Sequence, residues 1–320
     1  MIGAPAVDEK IGRDKYQRLV AAAQKVTTIK VAVARPCDDV SLHGAIEAHK
    51  LGLIDPILVA PPERLRNAAK EAQLDISPFE LIASDHSHDS AAKAVGLVTA
   101  GRVEALMKGS LHTDELIGAV VVHAGGIRTE RRISHCFIMD VPGHPDPLII
   151  TDAAVNIVPD LDAKVDIIQN AVDLAHAMGA PEVRVAILSA METVTGKVPS
   201  TIEAADLCKM ADRGQITGAL VDGPLALDNA ISAEAAAIKK IVSPVAGRAN
   251  VLVVPDLEAG NMLAKSLTYA DAAGIVLGAR VPIILTSRAD SLLSRLASCA
   301  VAVLVAAARR KAAVRSVQLT

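Results

Sequence analysis

The 320-residue chain contains no tryptophan and only two tyrosines and two phenylalanines. Sites that stack nucleobases are built from aromatic rings, so that class of nucleic-acid binding has little material here. A formal charge of -3 leaves no basic footprint either, and no nucleic-acid partner is expected. Cysteine is scarce: Cys37, Cys136, Cys208 and Cys299 stand far apart, without CxxC and without paired histidine spacing. Neither a zinc site nor a disulfide framework is signalled, and reduced buried thiols are expected. Long apolar runs are missing as well. The longest, Leu296 to Ala308, is broken by Ser298 and reads as a buried helix too short to span a bilayer, so no membrane partner is expected. The N-terminal stretch MIGAPAVDEKIGRDKYQ has early charges and no apolar signal core, which makes the cytoplasm the default location. There is no GxGxxG fingerprint. The tripeptide TGK at 195–197 lacks the P-loop pattern, with Met191 at the first glycine position and Val198 at the hydroxyl position.

What is present is a large stock of small aliphatic residues, with apolar types making up 51% of the chain. A core of Ala, Val, Leu and Ile favours alanine-faced helices packed closely on Val/Ile-rich parallel strands. At this length one large α/β domain or two modest ones are expected. Strand patterns at 30–34, 56–60, 79–83 and 104–107 alternate with helical patterns, the form of a parallel sheet covered on both faces. Asp38 is a candidate N-cap for the helix that follows the first strand. The rhythm then breaks: 133–139 and 147–150 are joined by the turn VPGHPD and read as an antiparallel hairpin. This break suggests a first α/β domain of residues 1–132 and 281–320, discontinuous in sequence, and a second of 133–280, with a cleft between them.

Chemistry concentrates in a few places. The stretch VPIILTSRADSLLSR reads as a strand from Val281 delivering Ser287, Arg288 and Asp290 to the start of a long apolar helix from about Ser291. A hydroxyl, a guanidinium and a carboxylate beside a positive helix end suit an anion and a polarised carbonyl. Equally, Ser287 or Asp290 caps the helix and Arg288 makes a surface ion pair. In KGSLHT, Lys108, Gly109, Ser110 and Thr113 fit an anion-binding turn, or a plain strand-to-helix turn with Thr113 as cap. Arg128, Arg131 and Arg132 crowd the approach to the hairpin; they form a solvated loop, or at least one of them, with Arg132 as the candidate, offers its fork to phosphate in the cleft. Asp228, in DGPLALDNAIS, follows a strand and is either a ligand contact or a helix-start residue. Asn261 and Lys265 are spaced to share one helix face.

Taken together, the blocks KGSLHT, DAAVNIVPDL, GPLALD, PVAGRANVLVVPDLEAGNMLAK and SRADS, in this order, resemble the phosphate acetyltransferase and phosphate butyryltransferase family from about residue 30 to 308. The resemblance implies reversible acyl transfer between coenzyme A and inorganic phosphate, so that acyl-CoA and phosphate give acyl phosphate and CoA. It also implies a two-domain, three-layer α/β/α fold similar to isopropylmalate dehydrogenases, a homodimer, and no cofactor beyond CoA as substrate. Within it Ser287 is the expected oxyanion donor, Arg288 with Lys108 the expected phosphate charge, and Asp290 the expected base. The SRADS spacing is similar to butyryl-type members, which leans toward an acyl group longer than acetyl. A dehydrogenase of the same fold and a catalytically silent acyl-CoA or acyl-phosphate binder are the competing readings.

Overall fold

The computed structural model of the chain describes residues 14–122, 124–267, 272–287 and 290–318. In chain order its elements are α1 (Asp14–Ala23), β1 (Ile29–Ala34), α2 (Asp39–Lys50), β2 (Ile54–Ala60), α3 (Pro62–Glu71), β3 (Glu80–Ala83), α4 (Ser87–Thr99), β4 (Ala105–Lys108) and α5 (Thr113–Val121). There follow β5 (Ser134–Met139), β6 (Leu148–Thr151), α6 (Leu161–Ala177), β7 (Arg184–Leu188), α7 (Pro199–Asp212), β8 (Leu220–Leu225), α8 (Leu227–Ile231) and α9 (Ala233–Ile238). The chain closes with β9 (Val251–Val253), α10 (Leu257–Ser266), β10 (Ala272–Leu277), β11 (Ile283–Ile284) and α11 (Leu292–Gln318).

Among the described residues all eleven strands form one sheet, in the order β3-β2-β1-β4-β11-β10-β5-β6-β9-β7-β8. The first five run parallel to one another. β10 is antiparallel to both β11 and β5, and β5 is antiparallel to β6, which is the expected hairpin. From β6 the order continues parallel through β9, β7 and β8. Late in the chain, β11 returns to pair with β4, matching Leu106 to Ile283 and Met107 to Ile284.

Each strand buries alternate residues on opposite faces, and the two faces are covered differently. On one, α1, α2, α3, α6, α7 and α11 share a single continuous core running from Tyr16 to Ala306. On the other, α4 and α5 cover one core that includes Val276, while α8, α9 and α10 cover a separate core that includes Ala272. Between these two residues of β10 lies Gly274, and beside it on β5 lie His135 and Phe137. The two cores of the divided face part at this trio, with the Leu285 carbonyl packed against Gly274.

α11 runs on to Gln318, well beyond the apolar run that ends at Ala308. The extension RRKAAVRSVQ is made of good helix formers. Arg309 donates to the carbonyls of Ala279 and Arg280, and Arg310 donates to the Glu104 carboxylate, which ties the extension to the sheet. By length and composition the helix could cross a bilayer, yet 72% of its most apolar window is buried inside the protein. It is a core helix.

Candidate functional site

At the ends of β1 and β4 the ladder continues past the last strand residues. Gly109 N–H donates to the Ala34 carbonyl at 2.9 Å, and Ser110 gives both its N–H and its hydroxyl to the Arg35 carbonyl, each at 2.8 Å. Cys37 N–H returns a bond to the Ser110 hydroxyl at 3.2 Å. A side chain at 109 is impossible without backbone movement, because its Cβ would lie 2.4 Å from the Arg35 carbonyl oxygen. The glycine of KGS is there for close approach. The cap of α5 is His112, not Thr113, which is the first helical residue; Glu115 accepts His112 N–H at 2.7 Å. That carboxylate also accepts the Ser87 hydroxyl, the main cause holding its pKa below the ordinary value.

β11 ends beside β4, so Lys108, the last residue of β4, and the segment 285–287 that follows β11 leave the sheet at the same end, from strands about 4.8 Å apart. Ser287 is fixed from both sides. Its N–H donates to the Asp290 carboxylate at 2.6 Å, and its carbonyl accepts from Arg295 Nη2 at 3.1 Å. Asp290 thus closes a turn onto Ser287 and does not cap α11. The capping oxygen comes from Ser291, whose hydroxyl accepts Ser294 N–H at 3.1 Å. Arg295 is buried in the apolar first half of α11 and passes so close to Gly44 of α2 that a Cβ there would meet its Cδ at 3.0 Å. Arg288 lies outside the described residues.

A second group gathers around the loop after β6. The buried Asp152 carboxylate accepts the N–H groups of Ala154, Val155 and Asn156, together with the Asn156 side-chain amide at 2.6 Å. Asn156 in turn accepts Arg132 Nε at 3.1 Å and donates to the Ile133 carbonyl. From α10, Asn261 donates to the Ala153 carbonyl at 3.1 Å, while Gly260 packs so tightly that a Cβ would touch Val254 at 2.6 Å. Lys265, one turn further along, is exposed on α10. Arg132 and Asn261 therefore meet on the Asp152–Asn156 loop. Arg131 turns elsewhere, onto Asp173 of α6 at 2.6 Å, and Arg128 is exposed.

Asp228 stands apart. It sits in the first turn of α8, capped by Ala226, with Lys239 at 3.8 Å. It follows β8, seven strand spacings from β4, roughly 34 Å along the sheet.

Three groups escaped the reading of the sequence. His135 is buried on β5, its ring edge-on to Phe137 at 4.4 Å, and its Nδ1 has no hydrogen-bond partner among the described residues. Burial pushes its imidazole down to about 4, with Asp152 acting the other way. Asp152 and Asn156 were visible inside DAAVNIVPDL, but nothing in the spacing separates their roles. Arg295 had a signal, a lone arginine in the apolar pattern LLSRLASCAVAV.

Comparison with known proteins gives the family. Residues 82–303 match the family model described as phosphate acetyl/butaryl transferase. The chain is 66% identical over 306 residues to a phosphate acetyltransferase of Rhizobium meliloti, covering 95% of this chain and 97% of that one. It is 41% identical over 295 residues to a phosphate butyryltransferase of Clostridium beijerinckii, covering 91% and 98%. Identity is thus higher to the acetyl-type relative, against the lean drawn from SRADS. Among solved structures, a branched-chain phosphotransacylase of Enterococcus faecalis superposes with a TM-score of 0.77 at 30% identity, over 87% of this chain and 99% of that one. With the family model spanning both KGSLHT and SRADS, and relatives matched nearly end to end, the chain belongs to the phosphate acetyl/butyryl transferase family.

Proposed function

We propose that this phosphate acyltransferase moves an acyl group directly between CoA and inorganic phosphate within one ternary complex, with acetyl as the favoured group. The observation that carries the reading is that Lys108 ends β4 and Ser287 follows three residues after β11, the parallel strand beside it. In the forward direction a phosphate oxygen attacks the thioester carbonyl, and the C–S bond then breaks to release CoA thiolate. The Ser287 hydroxyl is assigned to the tetrahedral oxyanion, Lys108 and Arg288 to the phosphate charge, and Asp290 to deprotonating the CoA thiol in reverse. Arg132, Asn261 and Lys265 are assigned to substrate on the opposite wall, Gly109, Ser110 and Thr113 to the phosphate turn, and Asp228 to an outer contact. Direct transfer is supported by the state of the cysteines. Burial pushes the thiols of Cys136, Cys208 and Cys299 up to about 12 and raises Cys37, so none is poised as an acyl-accepting thiolate.

The reading calls for no cofactor beyond CoA as substrate. It places the enzyme in the cytoplasm, where four free cysteines fit, and as a homodimer built from two α/β domains around a cleft; light scattering tests the dimer. The decisive experiment is phosphate-dependent thiol release from acetyl-, propionyl- and butyryl-CoA, without added metal or nicotinamide. Release fastest with acetyl-CoA, and lowered about 10²- to 10³-fold in kcat by Ser287→Ala, is the expected result. No release from any of the three by folded protein refutes the reading.

A further inference from the structure

β1 and β4 are neighbours whose following helices part company: α2 packs into the continuous core and α5 into the divided face. Such a switch of direction opens a crevice beyond the strand ends, where open α/β sheets hold ligands. A cavity of about 250 Å³ lies there, lined by Arg35, Cys37, Arg64, Asn67, Glu71 and Ser110.

Its features are those of an anion site. Arg35 holds φ at +54°, a left-handed conformation uncommon for a residue without glycine's freedom. The double bond from Ser110 to the Arg35 carbonyl keeps it there. Arg35 Nε is buried and has no hydrogen-bond partner among the described residues, in a protein whose buried donors are as a rule satisfied. Arg64 brings a second guanidinium from the exposed side of α3, and both arginines act on the Cys37 thiol, pulling it down against burial. Glu71 supplies one carboxylate, so the lining keeps one net positive charge. Two guanidiniums and the Asn67 amide around a small cavity match phosphate oxygens, while the Ser110 hydroxyl is engaged in holding Arg35.

Distance decides which phosphate. The phosphate that is acylated must come within about 3–3.5 Å of the carbonyl held at Ser287. Arg35 ends a strand two spacings from β11, roughly 10 Å away along the sheet. That is too far for the reacting phosphate and suits the other end of a long substrate. We propose that the Arg35–Arg64 pocket is the subsite for the phosphates at the nucleotide end of CoA. The proposal rests on the reading of CoA as substrate.

The test compares wild type with Arg35→Gln and Arg64→Gln. KM is measured for acetyl-CoA, for acetyl-pantetheine, which keeps the thioester but lacks the nucleotide phosphates, and for inorganic phosphate; CoA binding is measured separately by calorimetry. Arg64 is exposed on its helix, so its variant keeps the fold even where Arg35→Gln does not. The expected result is a KM for acetyl-CoA and a Kd for CoA raised about ten- to a hundredfold. KM for acetyl-pantetheine and for phosphate should stay within about twofold. Unchanged acetyl-CoA and CoA values, an equal rise with acetyl-pantetheine, or a rise confined to inorganic phosphate each overturn the proposal. Wild type that binds CoA through these arginines but releases none from acetyl-CoA keeps the subsite and removes the catalytic reading. Wild type that binds no CoA removes both.

Discussion

Gly274 tests whether the end of β11 sets the catalytic geometry. An ideal Cβ on this residue would lie 2.4 Å from the Leu285 carbonyl oxygen and 3.1 Å from His135 Nε2. Ordinary van der Waals contact begins near 3.4 Å, so Gly274→Ala obliges the Leu285 carbonyl to retreat by about 1 Å. Leu285 N–H also donates to the Gly274 carbonyl at 3.2 Å, and that bond loosens with the same movement. Ser287 follows two residues later. Overpacking of this kind costs about 1–3 kcal/mol of stability. A displacement of about 1 Å beside a reacting group lowers kcat/KM about 10²-fold. Phosphate-dependent thiol release gives the rate and urea unfolding the stability. Gly96→Ala is the control: Gly96 lies on the exposed side of α4 with nothing within 4 Å of its Cβ position. That variant should gain about 0.5–1 kcal/mol with unchanged turnover. Folded Gly274→Ala with kcat/KM within about twofold of wild type would refute the reasoning.

Asp290→Asn keeps an acceptor oxygen for Ser287 N–H but no base, so kcat should fall about 10²- to 10⁴-fold with KM for acetyl phosphate nearly unchanged; full turnover removes Asp290 from the chemistry. Lys15 and Asp140 form a buried pair at 2.6 Å, and Lys15→Met strands the carboxylate, costing about 3–5 kcal/mol in urea unfolding. A loss below about 1 kcal/mol would show that water reaches Asp140. His135 is held by burial at about 4, against an ordinary value of 6.5, so the unfolded chain accepts a proton that the folded one refuses. Its contribution to stability is full above pH 6.5 and shrinks as pH falls toward about 4, by up to ~3 kcal/mol. Asparagine at 135 should flatten that slope, and urea midpoints measured across the window would expose an unchanged slope.

Much of the fold was legible because small aliphatic runs alternate cleanly with helical patterns. Asp38 caps α2 through Ser41 N–H, as its position before the periodic stretch suggests. The hairpin of β5 and β6 was marked by its proline- and glycine-bearing turn. What a linear pattern does not carry is distance between remote segments. β10 looks like one more buried strand, yet it reverses direction between β11 and β5, and that reversal sets Gly274 against Leu285. β11 was expected over 281–285 and keeps ladder geometry only at Ile283 and Ile284, because Leu285 already bends to bond Gly274. Within the site, Ser287 and Lys108 were legible as motif residues. Arg295 and Arg35 were not, since their importance comes from a carbonyl each one meets or offers across the fold. The choice between Ser287 and Asp290 as cap of α11 was open in sequence because both carry suitable oxygens; geometry gives the cap to neither and places it on Ser291.

The two ends of the sheet have a bearing on how copies of this chain associate. One end is β3, four residues long, starting on exposed Glu80 just after Pro78. The other is β8, interrupted by Asp222, Gly223 and Pro224. Proline lacks the N–H that a further strand would need, and a charged, very short margin gives an incoming chain little to bind. Addition of a further strand at either border, the step by which open sheets grow into fibres, is therefore disfavoured.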